Sequence, residues 1–247
     1  MALLGRRAWA VEPRLLRIGQ LLPAGGPESA ARGALLGAEE GGRTAELLGA
    51  RLELVVRTVN NPQAAAREAA QLAASGMLAL VGGPAVSEAA ERLGIPLLTT
   101  LAPDDEPLRR QVFHVASSPR ERQEALARWH AGRKEPAPEG AHAVDWHPAL
   151  TRYGADQLNQ RFREHFGAAM DSLAWASWMA VMVAAELALR NPSAGRAELA
   201  HRLETFRFDG HKGRRLSFRK EDHRLEQPLY IVAGPKVLGE VSAEDEA

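Results

Sequence analysis

The sequence predicts an α/β fold of three layers, in which a mainly parallel sheet carries helices on both faces. Two observations lead to this fold class. Strand-like and helix-like segments alternate from Leu15 to Ala131, the order expected of parallel strands joined by helical crossovers. The strands are also continuous apolar runs rather than alternating ones, as expected where both faces of a sheet are buried.

The first two strand–helix units are the clearest. A strand over Arg17–Pro23 leads through the turn Ala24–Pro27 into a helix over Pro27–Glu40, whose alanines and glycines predict close packing against the sheet. The next strand, Arg51–Val59, is rich in β-branched residues. Asn61–Pro62 then gives a helix cap followed by proline at the first helical position.

The same pattern continues to Ala131. Glycines at positions 76 and 94 end the second and third helices, because glycine adopts the left-handed backbone conformation that closes a helix. The remaining predicted elements are the strand Met77–Val81, the turn and helix Gly82–Gly94, the strands Ile95–Thr100 and Gln111–Ala116, and the helix Pro119–Ala131.

The alternation breaks at Gly132–Asp145, which is rich in proline, glycine and charge and is typical of a linker. Beyond it the chain is mainly helical. The predicted elements are helices over Tyr153–Phe166, Leu173–Leu189 and Ala197–Phe206 and strands over Arg214–Phe218 and Pro228–Val232. The longest apolar run, Leu173–Ala185, is shorter than the roughly 20 residues of a membrane span. It predicts a buried helix capped by Asp171, and a chain that does not cross a membrane.

Composition and motifs exclude several functions. Lys plus Arg (31) balance Asp plus Glu (31), so no overall positive charge attracts nucleic acid. Cysteine is absent and the eight histidines lack metal-ligand spacing, so we expect neither a metal nor another cofactor. The basic run Asp209–Arg224 predicts a solvated turn around a buried Phe218. No G-x-S-x-G elbow or other catalytic constellation is present, so the chain is predicted not to be an enzyme.

The turn Ala24–Pro27 resembles a phosphate loop only in its position. It lacks G-x-G-x-x-G, and Pro27 removes an amide donor that a phosphate would need.

The start of the chain leaves two alternatives open. Two arginines precede Ala8–Trp9–Ala10 without the apolar core of a signal peptide between them, so the segment is either a tail or a clipped signal.

Candidate ligand-binding residues follow the third and fourth strands, at the edge where ligands bind in open α/β sheets. Ser87 either donates its hydroxyl to a ligand or caps the following helix. Thr99 and Thr100 are candidates at the neighbouring strand end, and strand alternation predicts that one of the two points into the core.

Several stretches of the chain resemble the type I periplasmic binding proteins of the leucine/isoleucine/valine-binding family. The stretches are IGQLLPAGGPESAARGALLGAEE, LELVVRTVNNPQAAAREAAQLAASGMLALVGG, GIPLLTTLAPDDEP and VFHVASSPRERQEALARW. A closer similarity is to the subgroup encoded beside pyrroloquinoline-quinone-dependent alcohol dehydrogenases, carried by WHPALTRYGADQLNQRFREHFGAAM, WASWMAV and DGHKGRRLSFRKEDHRLEQPLYIV. The resemblance spans about Arg17–Val232.

The resemblance implies a solute held between two lobes, and this chain departs from it twice. A second lobe of on the order of 100 residues should stand between Ala131 and Trp146, where only a predicted linker stands. The small Ser/Thr-rich positions after the third and fourth strands are replaced by Pro84–Ala85–Val86 and Leu101–Ala102–Pro103, which does not favour an α-amino acid ligand.

The expected organisation is therefore a truncated lobe. Residues 1–14 are a tail or signal remnant, 15–131 the first part of the lobe, and 132–145 a linker replacing the second lobe. Residues 146–240 return to the same lobe, and 241–247 form a tail. The resemblance implies a periplasmic ABC-transporter solute-binding protein associated with a quinoprotein alcohol-oxidation system, with a permease as partner and an amino acid, organic acid or alcohol-derived solute. The alternative is an interaction or assembly protein that retains the fold.

Overall fold

The computed structural model describes residues 12–131 and 133–242. The elements of its first half are β1 (Arg14–Pro23), α1 (Glu28–Leu47), β2 (Ala50–Val59), α2 (Pro62–Ala74), β3 (Ala79–Gly82), α3 (Ser87–Leu93), β4 (Leu97–Thr99), β5 (Val112–His114) and α4 (Pro119–Ala131). Those of its second half are β6 (His142–Val144), α5 (Ala155–Phe166), α6 (Ser172–Arg190), α7 (Arg196–Leu203), β7 (Phe208–Asp209), β8 (Arg215–Phe218), β9 (Leu225–Glu226), β10 (Leu229–Ala233) and β11 (Lys236–Val241).

The predicted three-layer α/β fold is confirmed. Five parallel strands form one sheet in the order β2-β1-β3-β4-β5. One face, with Ile18 and Phe113, packs on α1 and α6. The opposite face, with Leu21 and Leu80, packs on α2 and α3. Burial on both faces explains the apolar composition of β3 and β4, whereas the edge strand β2 is mostly half-buried and carries charged residues.

Two glycines of α1 serve a different contact from the predicted one. Gly33 and Gly37 lie against the backbone of α6, where an added Cβ on Gly33 would stand 2.0 Å from the Ala174 carbonyl oxygen. Gly41, one turn later, lies against Leu52 of β2 as well as α6. The first two glycines therefore let α1 approach α6, because a helix backbone can come this close only where side chains are absent, and the third also contacts the sheet.

The predicted caps of two helices are confirmed. The Asn61 side chain accepts a hydrogen bond from the Ala64 amide at 2.8 Å, and Asp171 accepts one from the Ala174 amide at 2.7 Å. Each satisfies an amide that the first helical turn leaves without a partner.

The long apolar helix is a core helix in the described part of the chain. Residues 172–190 form the one described helix that is long and apolar enough to cross a membrane, but 72% of its apolar window is buried inside the protein. Trp175 and Trp178 are at most 2% exposed, which agrees with the predicted core position. Trp175 also stacks on Trp146, with ring centroids 5.8 Å apart.

The predicted linker of residues 132–145 is shorter in the structure, because His142–Val144 form β6. This strand pairs antiparallel with β10, which pairs with β11. The predicted return of residues 146–240 to one lobe is also incomplete, since β10 and β11 do not join the five-stranded sheet. We call β6, β10 and β11 the small sheet. Helix α4 packs on it around its own core of Ala125, Ala143, Leu229, Ile231 and Val241. The predicted tail 1–14 lies mostly outside the described residues, but Arg14 begins β1.

A buried polar network joins the five-stranded sheet to the small sheet. The Lys212 ammonium donates to the Asp145 carbonyl at 2.6 Å, the Gln227 side-chain oxygen at 2.7 Å and the Pro228 carbonyl at 3.0 Å. The Asp145 carboxylate accepts hydrogen bonds from the Ser117 amide and the Gln227 side chain. Lys212 and Asp145 are each 1% exposed, so this part of the predicted solvated turn is in fact buried. Phe218 is buried as predicted.

Burial shifts the pKa of both ionisable groups in this network. It lowers the pKa of Lys212 to about 7 and raises the pKa of Asp145, because a low-dielectric interior disfavours the charged form of either group. The Lys212 ammonium also lies 4.2 Å from the centre of the Trp175 ring and 5.1 Å from that of Tyr230. These rings offer a cation–π contact that partly offsets the lost hydration.

Candidate functional site

A cavity of about 410 Å³ opens where β1, β3 and β4 end. Its lining comes from the ends of β1 and β2, the loops after β1, β3 and β4, the first turn of α1, Ala65 of α2 and Leu173 at the start of α6. The carboxyl edge of a parallel sheet is where α/β proteins of this kind hold ligands. A volume of this size fits within the usual range of small-molecule sites.

The walls of the cavity are mainly apolar. Leu21, Val59, Val86, Leu101 and Leu173 are among the side chains that line it. Its polar lining side chains, within the described residues, are Thr58, Thr100 and Glu28. Apolar contact is therefore the main source of affinity that this surface offers to a solute.

The turn between β1 and α1 forms one wall. Gly25 has φ of +69°, a conformation that glycine adopts without strain, and the Gly26 amide donates to the Pro23 carbonyl at 3.0 Å. Gln20 fixes the helix start, since its side-chain amide donates to the Ala30 carbonyl at 3.0 Å. The turn lines the cavity, and the negative charge of Glu28 in the first helical turn would oppose a phosphate there.

Ser87 has neither of its two predicted roles in the structure. It is the first residue of α3 and does not cap it, since Val86 occupies the cap position without a side-chain bond. Ser87 is 2% exposed and its hydroxyl has no hydrogen-bond partner. The residues that line the cavity stop at Val86, one position earlier.

Thr99 points into the core. It is fully buried, and its hydroxyl lies 2.8 Å from Nδ1 of His114 on the neighbouring strand β5. Burial, assisted by the charge of Arg224, lowers the pKa of His114 to about 4. His114 is therefore neutral at pH 7, and the pair is an internal contact between two strands.

Thr100 is the candidate that reaches the cavity. It is 6% exposed and lines the cavity, and its backbone amide donates to the Gly82 carbonyl at 2.9 Å. Its hydroxyl makes no hydrogen bond to another residue in the described parts of the chain. The expected alternation between Thr99 and Thr100 is thus observed, and one of the three candidates lines the cavity.

A second depression, of about 440 Å³, lies between α4 and the β9–β10 connection. Sequence reasoning did not find it, because its residues are far apart in the chain. Arg219 and Glu121 line it and bond to each other at 2.8 Å, so much of its charge is satisfied internally. No group of three or more His, Asp or Glu side chains within residues 12–131 and 133–242 is placed to hold a metal ion.

No protein-family profile and no curated protein matches this sequence. Many solved structures match the fold. The leucine-, isoleucine-, valine-, threonine- and alanine-binding protein of Brucella ovis superposes with a TM-score of 0.75 at 12% identity, over 96% of this chain and 97% of that one. The ABC transporter substrate-binding protein of Desulfitobacterium hafniense, in complex with leucine, gives 0.74 at 15% identity, over 91% and 99%.

A further similar structure is a solute-binding protein of an ABC transporter from Rhodopseudomonas palustris BisB5, in complex with 3,4-dihydroxybenzoic acid. Its TM-score is 0.72 at 10% identity, over 94% of this chain and 99% of that one. The chain therefore has the fold of type I periplasmic binding proteins, whose solved examples include ABC-transporter solute-binding proteins. At these identities, the comparison establishes the fold alone.

Proposed function

We propose that this chain is a solute-binding protein of the ABC-transporter type, with the cavity at the carboxyl ends of β1, β3 and β4 as its binding site. The observation that carries the proposal is the position of this cavity within a fold shared with solute-binding proteins. Among the described residues that line the cavity, Thr100 is the one largely buried side chain whose hydroxyl has no protein partner. We propose no catalytic residue, cofactor or metal.

The small sheet and α4 are, in this proposal, what remains of a second lobe. Helix α4 and β6 follow β5 directly, as a second lobe would, and with β10 and β11 they enclose a separate core. None of the described residues of α4 or the small sheet lines the cavity. A solute bound there would therefore keep one side in water, instead of being enclosed between two lobes.

We expect leucine, valine and simple carboxylates to bind no tighter than roughly millimolar. Each hydrogen bond made at a wet surface adds only about 0.5–1.5 kcal/mol, and association costs on the order of 4 kcal/mol or more. Titration calorimetry of the purified monomer measures this. Micromolar binding of leucine by the monomer would contradict a site that leaves one side of the solute in water.

A thermal-shift panel of amino acids, organic acids and small alcohols tests solute binding itself. A ligand at about ten times its Kd stabilises the native state by about 1.4 kcal/mol, which raises the melting temperature by about 3–5 °C for a chain of this size. The proposal predicts such a shift with at least one member, and loss of the shift when Leu101→Asp makes the cavity rim polar. A panel without any shift would contradict it.

The alternative is an interaction or assembly protein that kept the fold and lost the ligand. The observation in its favour is that Ser87 and Thr99 are turned away from the cavity and the opposing wall is reduced. Under this alternative, no solute stabilises the chain and a protein partner does.

The physiological setting belongs to the proposal as well. Resemblance of the segments from Trp146 to Met170 and from Asp209 to Val232 to the alcohol-dehydrogenase-linked subgroup supports a place beside a quinoprotein alcohol-oxidation system. The same resemblance supports a periplasmic location and an ABC permease as partner. Genes for a permease and a quinoprotein dehydrogenase next to this one would support the assignment, and their absence would favour the interaction protein.

A further inference from the structure

The polar groups of the cavity are few enough to define a class of ligand. Among the described lining residues, Glu28 is the one with a charged side chain, and Lys, Arg and His are absent. A free amino acid must place both a carboxylate and an ammonium group in its site. Removing either charge from water is costly unless a partner of opposite charge compensates it.

The cavity offers a carboxylate poor compensation. The amino end of α1 borders it, but Glu28 places a negative charge in the first turn of that helix, which opposes a second anion there. The nearest cation on this helix, Arg32, lies one turn further along and is paired with Glu28. The 3-10 turn before α3 begins with Pro84, which has no amide hydrogen to donate.

The cavity also offers an ammonium group little. Glu28 is the one anionic side chain available, and its side chain is 78% exposed and already paired with Arg32. An ion pair in water at such a site adds little affinity. The α-ammonium of an amino acid would therefore lose hydration without gaining a strong partner.

Thr100, in contrast, offers a contact suited to an uncharged group. Its side chain is largely buried and lines the cavity, and its hydroxyl has no hydrogen-bond partner in the described residues. A hydroxyl both donates and accepts, so it can bind an alcohol or a carbonyl equally well. A buried hydroxyl that meets only apolar ligand atoms would lose its hydrogen bond to water.

We infer that the cavity takes an uncharged, largely apolar molecule that presents one hydroxyl or carbonyl group to Thr100, in preference to an amino acid or an organic anion. This inference rests on the proposed solute-binding function and specifies its ligand. The leucyl, valyl, prolyl and alanyl walls supply contact area for an aliphatic or aromatic body, and Thr100 orients it.

The test uses three probes with one carbon skeleton: 3-phenylpropan-1-ol, 3-phenylpropanoate and phenylalanine. We expect the alcohol to bind the full chain at least about tenfold more tightly than either charged probe, by calorimetry or thermal shift at pH 7. A carboxylate or an amino acid that binds as well as the alcohol overturns the inference and leaves solute binding standing. If none of the three, nor any other small molecule of the panel, binds below about 10 mM, solute binding fails with it.

Substitutions at Thr100 test whether its hydroxyl contacts the ligand. Thr100→Val keeps the side-chain volume but removes the hydroxyl, and we expect it to weaken alcohol binding about five- to tenfold. Thr100→Ser should restore most of the affinity, and Thr205→Val, at an exposed position, should leave it unchanged. Equal affinities of wild type and Thr100→Val would overturn the assignment of Thr100, provided that circular dichroism shows both to be folded.

Discussion

Replacing Lys212 by alanine should destabilise the protein by about 3–5 kcal/mol, the usual cost of removing one partner from a buried charged network. The ammonium donates to Asp145, Gln227 and Pro228, and each acceptor would lose its partner without gaining water. The Asp145 carboxylate would also lose its compensating cation. Urea unfolding measures the change in the free energy of unfolding.

Lys220→Ala is the matched control, because Lys220 is exposed in the loop between β8 and β9. Surface substitutions of this kind usually change stability by less than about 0.5 kcal/mol. A cost under about 1 kcal/mol for Lys212→Ala would contradict a buried Lys212 network between the five-stranded sheet and the small sheet.

The same lysine should give the protein a particular pH dependence. The pKa of Lys212 in the folded protein is about 7, below the 10.5 of an exposed lysine. Between pH 7 and pH 10.5 the unfolded state therefore carries a proton on this lysine that the folded state lacks. Stability from this group is therefore present above pH 10.5 and is lost as pH falls through 7. We expect the free energy of unfolding to rise from pH 7 to 10 relative to a Lys212→Met variant, which lacks the titrating group.

Two glycine-to-alanine substitutions on α1 should have opposite signs. Gly33→Ala places a Cβ 2.0 Å from the Ala174 carbonyl oxygen, so α1 and α6 must move apart, at a cost of about 1–3 kcal/mol. Gly42→Ala meets no atom within 4 Å and should stabilise by about 0.5–1 kcal/mol, since alanine is the better helix former. Thermal melts of the two variants measure both changes in stability. Equal shifts of the same sign would show that α1 does not face α6 through Gly33.

Local signals in the sequence were sufficient for the main sheet and its helices. Asn61, Asp171 and Gly94 end or begin helices where their chemistry predicts, and Gly94 has φ of +60°. Apolar runs identified the five parallel strands, although the edge strand β2 also carries charged residues at exposed or half-buried positions. The edge that holds the cavity follows from the same pattern, since parallel strands bring their carboxyl ends together.

Features that depend on distant partners could not be predicted in this way. Strand β6 is short and lies in a stretch typical of a linker, and its strand pairing comes from β10. Lys212 lies between glycines in a basic run that is typical of solvent, and its burial depends on Asp145 and Gln227 in other segments. Ser87 does not line the cavity, because a shift of one position at the start of a helix turns a side chain towards a different face.

The most direct test of the account is to map where a solute binds. Amide chemical shifts of the ¹⁵N-labelled chain, followed during titration with 3-phenylpropan-1-ol, report the site residue by residue. We predict that the largest changes fall on residues around the cavity, among them Gly26, Ala31, Gly83 and Leu101. Largest changes at Glu124 and Leu229, in the depression beside α4, or no localised change at saturation, would contradict a binding site at the carboxyl edge of the sheet.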